Sequence, residues 1–185
     1  MASARLADSL LSLGDLSGAR TWISATAQHV AQNSFARTYH LYNSITLSIA
    51  DRNFARAERQ LAELWTQDEA KKKVAQRGII GMSLMLENAR GRMTQAAFDE
   101  VELRQIDEDA WRHSEHLPFA VGLFLLLSAR GFADEARERI RQYFVHRRRE
   151  FYDPWPVLSL LHLKKSQHQM LLNAVTGLPA LSDTA

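Results

Sequence analysis

The stretch Ala129-Arg130-Gly131-Phe132-Ala133-Asp134-Glu135-Ala136 decides how this sequence folds. It comes directly after a strongly apolar segment and contains a glycine, the residue that most readily ends a helix in the left-handed conformation. Ala136 stands five residues after that glycine, on the first turn of the next segment. A glycine at the turn and a small side chain just after it allow two helix backbones to approach closely, so the stretch predicts a helical hairpin.

The same pattern, a turn residue with an alanine five positions later, occurs four times along the chain. The turn residue is glycine in three copies and arginine in the remaining one. Successive alanines are separated by 38, 39 and 40 residues, and this near-constant spacing predicts an internal repeat of helical hairpins. The four pairs are Gly14 with Ala19, Arg52 with Ala57, Gly91 with Ala96, and Gly131 with Ala136.

Apolar residues also recur at fixed distances from these alanines, which places them on the same helix faces in each copy. Twelve residues before the alanine stand Ala7, Ile45, Leu84 and Phe124. Four residues after it stand Ile23, Leu61 and Ile140, and seven residues after it stand Leu64, Leu103 and Tyr143.

This arrangement resembles the tetratricopeptide repeat family, in which each repeat is a helix, a Gly-x-x-x-x-Ala turn and a second helix. The resemblance implies an all-α fold, a right-handed α-α superhelix of about four hairpins in one domain over residues 1–176. The predicted hairpins span residues 2–31, 34–65, 66–111 and 117–149, followed by a capping helix over 156–176 and a loose tail over 177–185. Two alternatives stay open, a related solenoid with a longer repeat and an all-α bundle whose glycines recur by coincidence.

Local signals place the ends of several helices. Thr66 and Glu69 have the spacing of a capping box, which predicts a long first helix of the third hairpin from Thr66 to about Asn88. Thr94 is predicted to cap the second helix of that hairpin. The helical pattern starts almost at Met1, which favours a segment of a longer polypeptide.

Composition excludes several classes of protein. The chain has 185 residues, of which 46% are hydrophobic and 24% are charged, as in an ordinary soluble protein. It contains no cysteine, which removes disulfides and thiolate metal sites and fits a reducing compartment. The longest apolar run, residues 119–127, is too short to cross a bilayer. We therefore predict a cytoplasmic protein.

No motif signals catalysis. The sequence contains no Gly-x-Ser-x-Gly, no phosphate-binding loop and no dinucleotide fingerprint. His113 and His116 have the spacing of two metal ligands on a helix, but the repeat places no further ligand beside them, so a loop between hairpins is the better interpretation. We predict a protein that is not an enzyme and that needs no cofactor or metal.

The resemblance implies a concave groove formed by the first helices of successive hairpins, in which a peptide or helix of a partner binds. This lining is apolar and aromatic, with two asparagines for the partner's backbone, and it lacks a Lys/Arg clamp for a terminal carboxylate. The alternative is that the same residues are ordinary core. The predicted groove residues are Tyr39, Tyr42, Asn43, Thr46, Ile49, Met82, Met85, Asn88, Val121 and Leu125.

Basic clusters provide the competing hypothesis of nucleic-acid contact. The formal net charge is only +2 and acidic residues stand beside the first two of these clusters, so a solvated helix face is the simpler interpretation and nucleic acid is an unlikely partner. The clusters are Lys71-Lys72-Lys73, Arg147-Arg148-Arg149 and Lys164-Lys165.

The sequence thus predicts a helical-repeat domain that binds another protein or another domain of the same longer chain. It resembles at fold level the repeat segments of bacterial transcriptional regulators and secretion chaperones. As a regulator, it would pass a signal to a DNA-binding module, and as a chaperone it would shield an apolar segment of a client.

Overall fold

A computed structural model provides the three-dimensional structure of the chain. It describes residues 6–7, 10–11, 14–27, 34–67, 73–96, 98–99, 102–103 and 117–147, together with residues 167, 169, 171 and 173.

The described residues form six α-helices and no β-strand, which confirms the prediction of an all-α chain for this part of it. The helices are α1 (Leu16–Thr26), α2 (Ser34–Ala50), α3 (Phe54–Trp65), α4 (Lys73–Ala89), α5 (Leu117–Ala129) and α6 (Ala133–Arg147). A short 3-10 turn, Met93–Gln95, follows α4. None of these helices is both long and apolar enough to cross a bilayer.

All four predicted turns have the same hydrogen-bonded geometry, which ends a helix with one residue in the left-handed conformation. In the fourth hairpin, Gly131 N–H donates to the Ser128 carbonyl (3.3 Å) and Phe132 N–H donates to the Leu127 carbonyl (2.9 Å). The equivalent pairs of bonds occur at residues 14 and 15, 52 and 53, and 91 and 92. Positive φ angles of 77°, 56°, 73° and 93° at Gly14, Arg52, Gly91 and Gly131 explain why glycine is preferred there.

The alanine after each turn is buried in every copy. Ala19, Ala57 and Ala136 are 0% exposed and Ala96 is 6% exposed, so each lies where two helices are in close contact. The apolar residues at fixed distances from these alanines are buried as well, including Ile45, Leu84 and Phe124 twelve residues before them, except for Tyr143, which is partly buried. The main core joins the second, third and fourth hairpins, and a smaller cluster packs the first hairpin against Leu47 of α2.

Glycines allow the first helices of the third and fourth hairpins to pack with their backbones in contact. A Cβ atom at position 81 would lie 2.4 Å from the Phe119 nitrogen, and one at position 122 would lie 2.9 Å from the Leu84 Cβ. Position 78 faces the other neighbour, because a Cβ atom there would lie 2.6 Å from the Tyr42 hydroxyl oxygen. Gly78 and Gly81 therefore let α4 fit between α2 and α5.

Two predicted helix starts are wrong. Thr66 does not begin the third hairpin; it ends α3, and its hydroxyl donates to the Glu63 carbonyl (2.7 Å). Thr94 does not cap an α-helix, because it lies inside the 3-10 turn, after which Ala96 adopts an extended conformation with ψ 129°. Residues 102 and 103 are helical, and Leu103 N–H donates to the Asp99 carbonyl (3.0 Å). The capping helix predicted over 156–176 is described only at residues 167, 169, 171 and 173, which are helical.

Candidate functional site

The predicted groove residues lie on helices that pack against each other. Seven of them are buried, namely Asn43, Ile49, Met82, Met85, Asn88, Val121 and Leu125. Tyr42 and Thr46 are half-buried, and Tyr39 lies in α2 with its side chain outside the described part. The burial agrees with the alternative interpretation of the seven residues as core. Partner binding by this set stays a prediction.

The two half-buried residues of this set, Tyr42 and Thr46, connect the second hairpin with the third. The Thr46 hydroxyl donates to the Tyr42 carbonyl (3.1 Å) and lies 4.0 Å from the Met82 sulfur. The Tyr42 ring lies against Gly78, where the absence of a side chain makes room for it. Tyr42 and Thr46 therefore border the contact between α2 and α4, and their partial exposure keeps them accessible from outside.

The C-terminal helical residues lie against α4, on one of the predicted groove residues. Gln167 donates from its amide nitrogen to the Asn88 Oδ1 (2.7 Å), and the Asn88 amide nitrogen lies 3.5 Å from the Gln167 Oε1. Leu171, one helical turn after Gln167, is 0% exposed and belongs to the main core. The amide of Gln167 thus binds at the end of α4, and the leucine four residues later is buried in the main core.

Charged side chains connect successive hairpins at equivalent positions. In the second, third and fourth hairpins, the residue just before the left-handed turn residue contacts the preceding hairpin beside its buried alanine. Asp51 accepts a hydrogen bond from Arg20 (2.7 Å), and Arg90 pairs with Glu58. In the fourth hairpin Arg130 donates to the Ala96 carbonyl (2.8 Å) and the Phe98 carbonyl (3.0 Å). Each hairpin is therefore fixed to the one before it by the same position of the repeat.

Arg90 forms the most extensive of these contacts. Its side chain is 13% exposed, lies 5.7 Å from the centroid of the Phe54 ring, and donates to the Phe54 carbonyl (3.4 Å). The hydrogen bond from Arg90 lowers the pKa of Glu58, and the same bond raises the pKa of Arg90. Both groups are therefore charged at neutral pH, and the pair holds the start of α3 against the end of α4.

A pocket of about 400 Å³ opens next to this ion pair, between α3 and the third hairpin. Its volume is within the range of small-ligand pockets. Because Ala96 is extended where an α-helix was expected, the segment after the 3-10 turn does not fill the space beside α3. The lining combines an apolar floor of Leu61, Leu86, Ala96 and Phe98 with a polar rim of Glu58, Ser83, Glu87, Arg92 and Gln95.

The sequence alone did not predict this pocket, and a missing cap alone does not signal it, because α6 starts normally after Phe132. The position after the left-handed residue is Asp15 in the first copy and Asn53 in the second, and each accepts a bond from a backbone N–H of the next helix. The third copy has Arg92, which forms no such bond. Arginine has no acceptor atom, so it leaves the first turn uncapped.

The other predicted sites lie largely outside the described residues. This holds for Lys71, Lys72, Arg148, Arg149, Lys164 and Lys165, and for His113 and His116. Lys73 and Arg147 lie in α4 and α6, with their side chains outside the described part. Within that part, no group of three His, Asp or Glu side chains is close enough to hold a metal ion.

Comparison of the chain with protein-family models, with curated protein sequences and with solved structures gives no match.

Proposed function

We propose that this chain is a tetratricopeptide-like helical-repeat domain, built as a right-handed superhelix, that binds another protein and catalyses no reaction. The recurrence of one unit carries the proposal: four turns with the same pair of hydrogen bonds, each followed by a buried alanine. The contacts of Asp51, Arg90 and Arg130 with the preceding hairpin support a stacked array. Such arrays present surfaces formed by several repeats, on which peptides and helices of partners bind.

The proposed partner is an amphipathic helix with an amide side chain and a leucine four residues apart. The C-terminal residues of this chain support that chemistry, because Gln167 bonds to Asn88 and Leu171 enters the core one turn later. A helix-in-groove contact uses residues with this spacing. The partner helix would bind along α2 and α4, beside Tyr42 and Thr46, and would compete with the chain's own helix for Asn88.

The test is a pull-down with the full chain, followed by mass spectrometry of the retained proteins. Tyr42→Ala removes a half-buried side chain from the proposed groove, and Gln167→Ala removes the bond that holds the chain's own helix. We expect a specific protein to be retained by the wild type, less by Tyr42→Ala and more by Gln167→Ala. Met85 is unsuitable as a probe, because at 0% exposure a charged replacement would unfold the protein.

Gln142→Ala, at an exposed position of α6, is the matched control and should retain the same protein as the wild type. Circular dichroism and thermal unfolding check that each variant is folded. Equal retention by all four proteins would contradict the groove. Retention of nucleic acid alone, lost on nuclease treatment, would favour the basic clusters instead.

A further inference from the structure

The pocket between α3 and the third hairpin is separate from the groove proposed for the partner helix. The groove lies beside Tyr42 and Thr46, whereas the pocket opens beside Glu58 of α3 and Glu87 of α4. Its volume of about 400 Å³ is small but within the range of ligand pockets, which is roughly 300–1,000 Å³. An apolar floor with a few polar side chains around it is the usual construction of a small-molecule site. The chemistry of the floor and rim therefore indicates which ligand fits.

The floor of the pocket offers apolar surface to a hydrophobic group. Leu61, Leu86 and Ala96 belong to the main core, and Phe98 packs against it half-buried. The pocket is therefore an opening that reaches the main core. A hydrophobic side chain placed there would remove this apolar surface from water, which favours binding.

Two carboxylates from different hairpins meet at the rim. Glu58 and Glu87 both accept from the same nitrogen, Nη1 of Arg90, which makes them neighbours. Their contacts with arginine use one oxygen of each, Oε1, and leave Oε2 of each as an acceptor. Arg90 itself is 13% exposed, packs over the Phe54 ring and does not line the pocket. An ammonium group, with three N–H donors, matches these two oxygens.

Arg92 adds a cation to the same rim. Its Nη2 donates to Glu87 Oε1 (3.0 Å), and its side chain is 49% exposed. A guanidinium has five N–H donors, so most of them are left for a carboxylate of a ligand. The two acids are balanced by Arg90 and Arg92, so a ligand with a net charge would bring an uncompensated charge. A zwitterion would not.

We propose that this pocket binds a free α-amino acid with a large apolar side chain. The side chain covers the floor, the ammonium bonds to Glu58 and Glu87, and the carboxylate bonds to Arg92. Because Arg92 contacts Glu87 directly, the rim presents opposite charges side by side, as the α-carbon of an amino acid does. The ligand bridges α3 and the segment after the 3-10 turn, so its binding stabilises the contact between the second and third hairpins.

The experiment titrates the full ¹⁵N-labelled chain with L-phenylalanine and with L-leucine. We expect at least one of them to bind saturably and to shift the amide resonances of Ala96 and Phe98. Phenethylamine and isoamylamine are the same molecules without the carboxylate, and hydrocinnamate and isocaproate are the same molecules without the ammonium. Each analogue should bind about tenfold more weakly than its amino acid, because it lacks one charge-assisted contact. Glycine, which has no apolar side chain, should not shift these resonances.

Arg92→Met and Glu58→Gln each remove one of the two charges that the ligand contacts. Arg92→Met should weaken the amino acid about tenfold and should not weaken the amine. Glu58→Gln should weaken the amino acid and the amine and should not weaken the acid. A general loss of structure would not separate the analogues in this way.

The matched controls lie in α6, outside the pocket. Arg137→Met removes an arginine that is 51% exposed and paired with an acid, as Arg92 is. Glu138→Gln removes a glutamate that is 55% exposed and paired with an arginine, as Glu58 is at 54%. Both controls should bind the amino acid as the wild type does.

Two results would overturn the proposal. One is a folded wild-type protein that binds neither amino acid. The other is equal binding of an amino acid and both of its analogues, which would mean that the rim charges do not contact the ligand. If a variant does not fold, the analogue comparison on the wild type decides. No protein partner takes part in these titrations, so their failure is distinguishable from a failure of the pull-down.

Discussion

The second and third hairpins have the same turn and differ in the segment after it. Arg52 and Gly91 are both left-handed, and the residues after them donate the equivalent backbone bonds. In the second hairpin, Ala57 N–H then donates to the Asn53 carbonyl, four residues back (3.0 Å). In the third, Ala96 N–H donates to the Met93 carbonyl, only three residues back (3.3 Å). The backbone hydrogen-bond patterns of the two hairpins therefore first differ at the buried alanine.

Two features distinguish the third hairpin here. Asn53 accepts a bond from Arg56 N–H and so caps α3, whereas Arg92 at the equivalent position forms no cap bond. Arg130 of the fourth hairpin also donates to the carbonyls of Ala96 and Phe98, so these groups have an acceptor role outside a helix. An uncapped helix start and a competing donor thus accompany the extended segment. The donor is the distinctive feature, because α6 starts directly after Phe132, which has no side-chain acceptor either.

The third hairpin shows how a repeat acquires a local surface. The turn and the alanine keep the stacking intact, because both are the same in the two hairpins. The loss of one helical turn leaves the pocket lined by Leu61, Leu86 and Phe98. A constant framework and a variable segment therefore coexist within one unit.

Enlarging the buried alanine should give the largest difference in stability between the second and third hairpins. Ala57→Leu places extra volume in a closely packed helix contact and should lower the unfolding free energy by about 1–3 kcal/mol or more. Ala96→Leu should lower it less, because Ala96 borders the open pocket. Urea unfolding of the two variants measures both values. Equal losses would mean that the two alanines are packed alike, contrary to the comparison.

Substitution of Arg130 tests whether the fourth hairpin holds the extended segment at Ala96 in place. Arg130→Met removes two charge-assisted bonds to carbonyl groups and should lower the unfolding free energy by about 1–2 kcal/mol. It should also speed amide hydrogen exchange in residues 96–103. Arg137→Met, an exposed residue of α6, is the control and should change neither. Unchanged exchange in Arg130→Met would place the cause of the extended segment in residues 92–96 alone.

Arg92→Asn should make the segment after the third turn more like that of the second hairpin. Asparagine supplies the acceptor that Asn53 provides and should stabilise the first turn by about 0.5–1 kcal/mol. The substitution also removes the exposed ion pair of Arg92 with Glu87, as does Arg92→Ala, which serves as the control. Helix content by circular dichroism and Tm should both increase in Arg92→Asn relative to Arg92→Ala. Identical values would make Arg130 the dominant cause of the extended segment.

The sequence predicts the parts of this fold that depend on local spacing. The left-handed turns follow from glycine, and the burial of Ala57, Ile45 and Leu84 follows from the fixed offsets. Arg52 fits the same register without a glycine. The bonds of Arg130 to Ala96 and of Gln167 to Asn88 join residues far apart in sequence, and no local pattern predicts them. Thr66 misled the prediction because a threonine hydroxyl can close one helix as well as start another.

The smallest expected effect is the pH dependence of stability that comes from His40. The third hairpin has no histidine at the equivalent position. The equivalent residue of the third hairpin is Ile79, which is 0% exposed. Burial lowers the pKa of His40 below its ordinary value of 6.5, with Arg56 also lowering it and Glu63 opposing. The folded state therefore disfavours the proton that the unfolded chain accepts as the pH falls through 6.5. Stability should decrease towards acid and recover as the pH rises.

His40→Ile places the residue of the third hairpin into the second and isolates this effect from the other histidines. Urea midpoints at about pH 7.5 and about pH 5.5 should differ less in His40→Ile than in the wild type, because the variant has no proton to exclude at that position. Equal decreases would mean that burial of His40 does not disfavour its charged form. A smaller decrease would show that two equivalent positions of one repeat differ in their response to pH through a single buried imidazole.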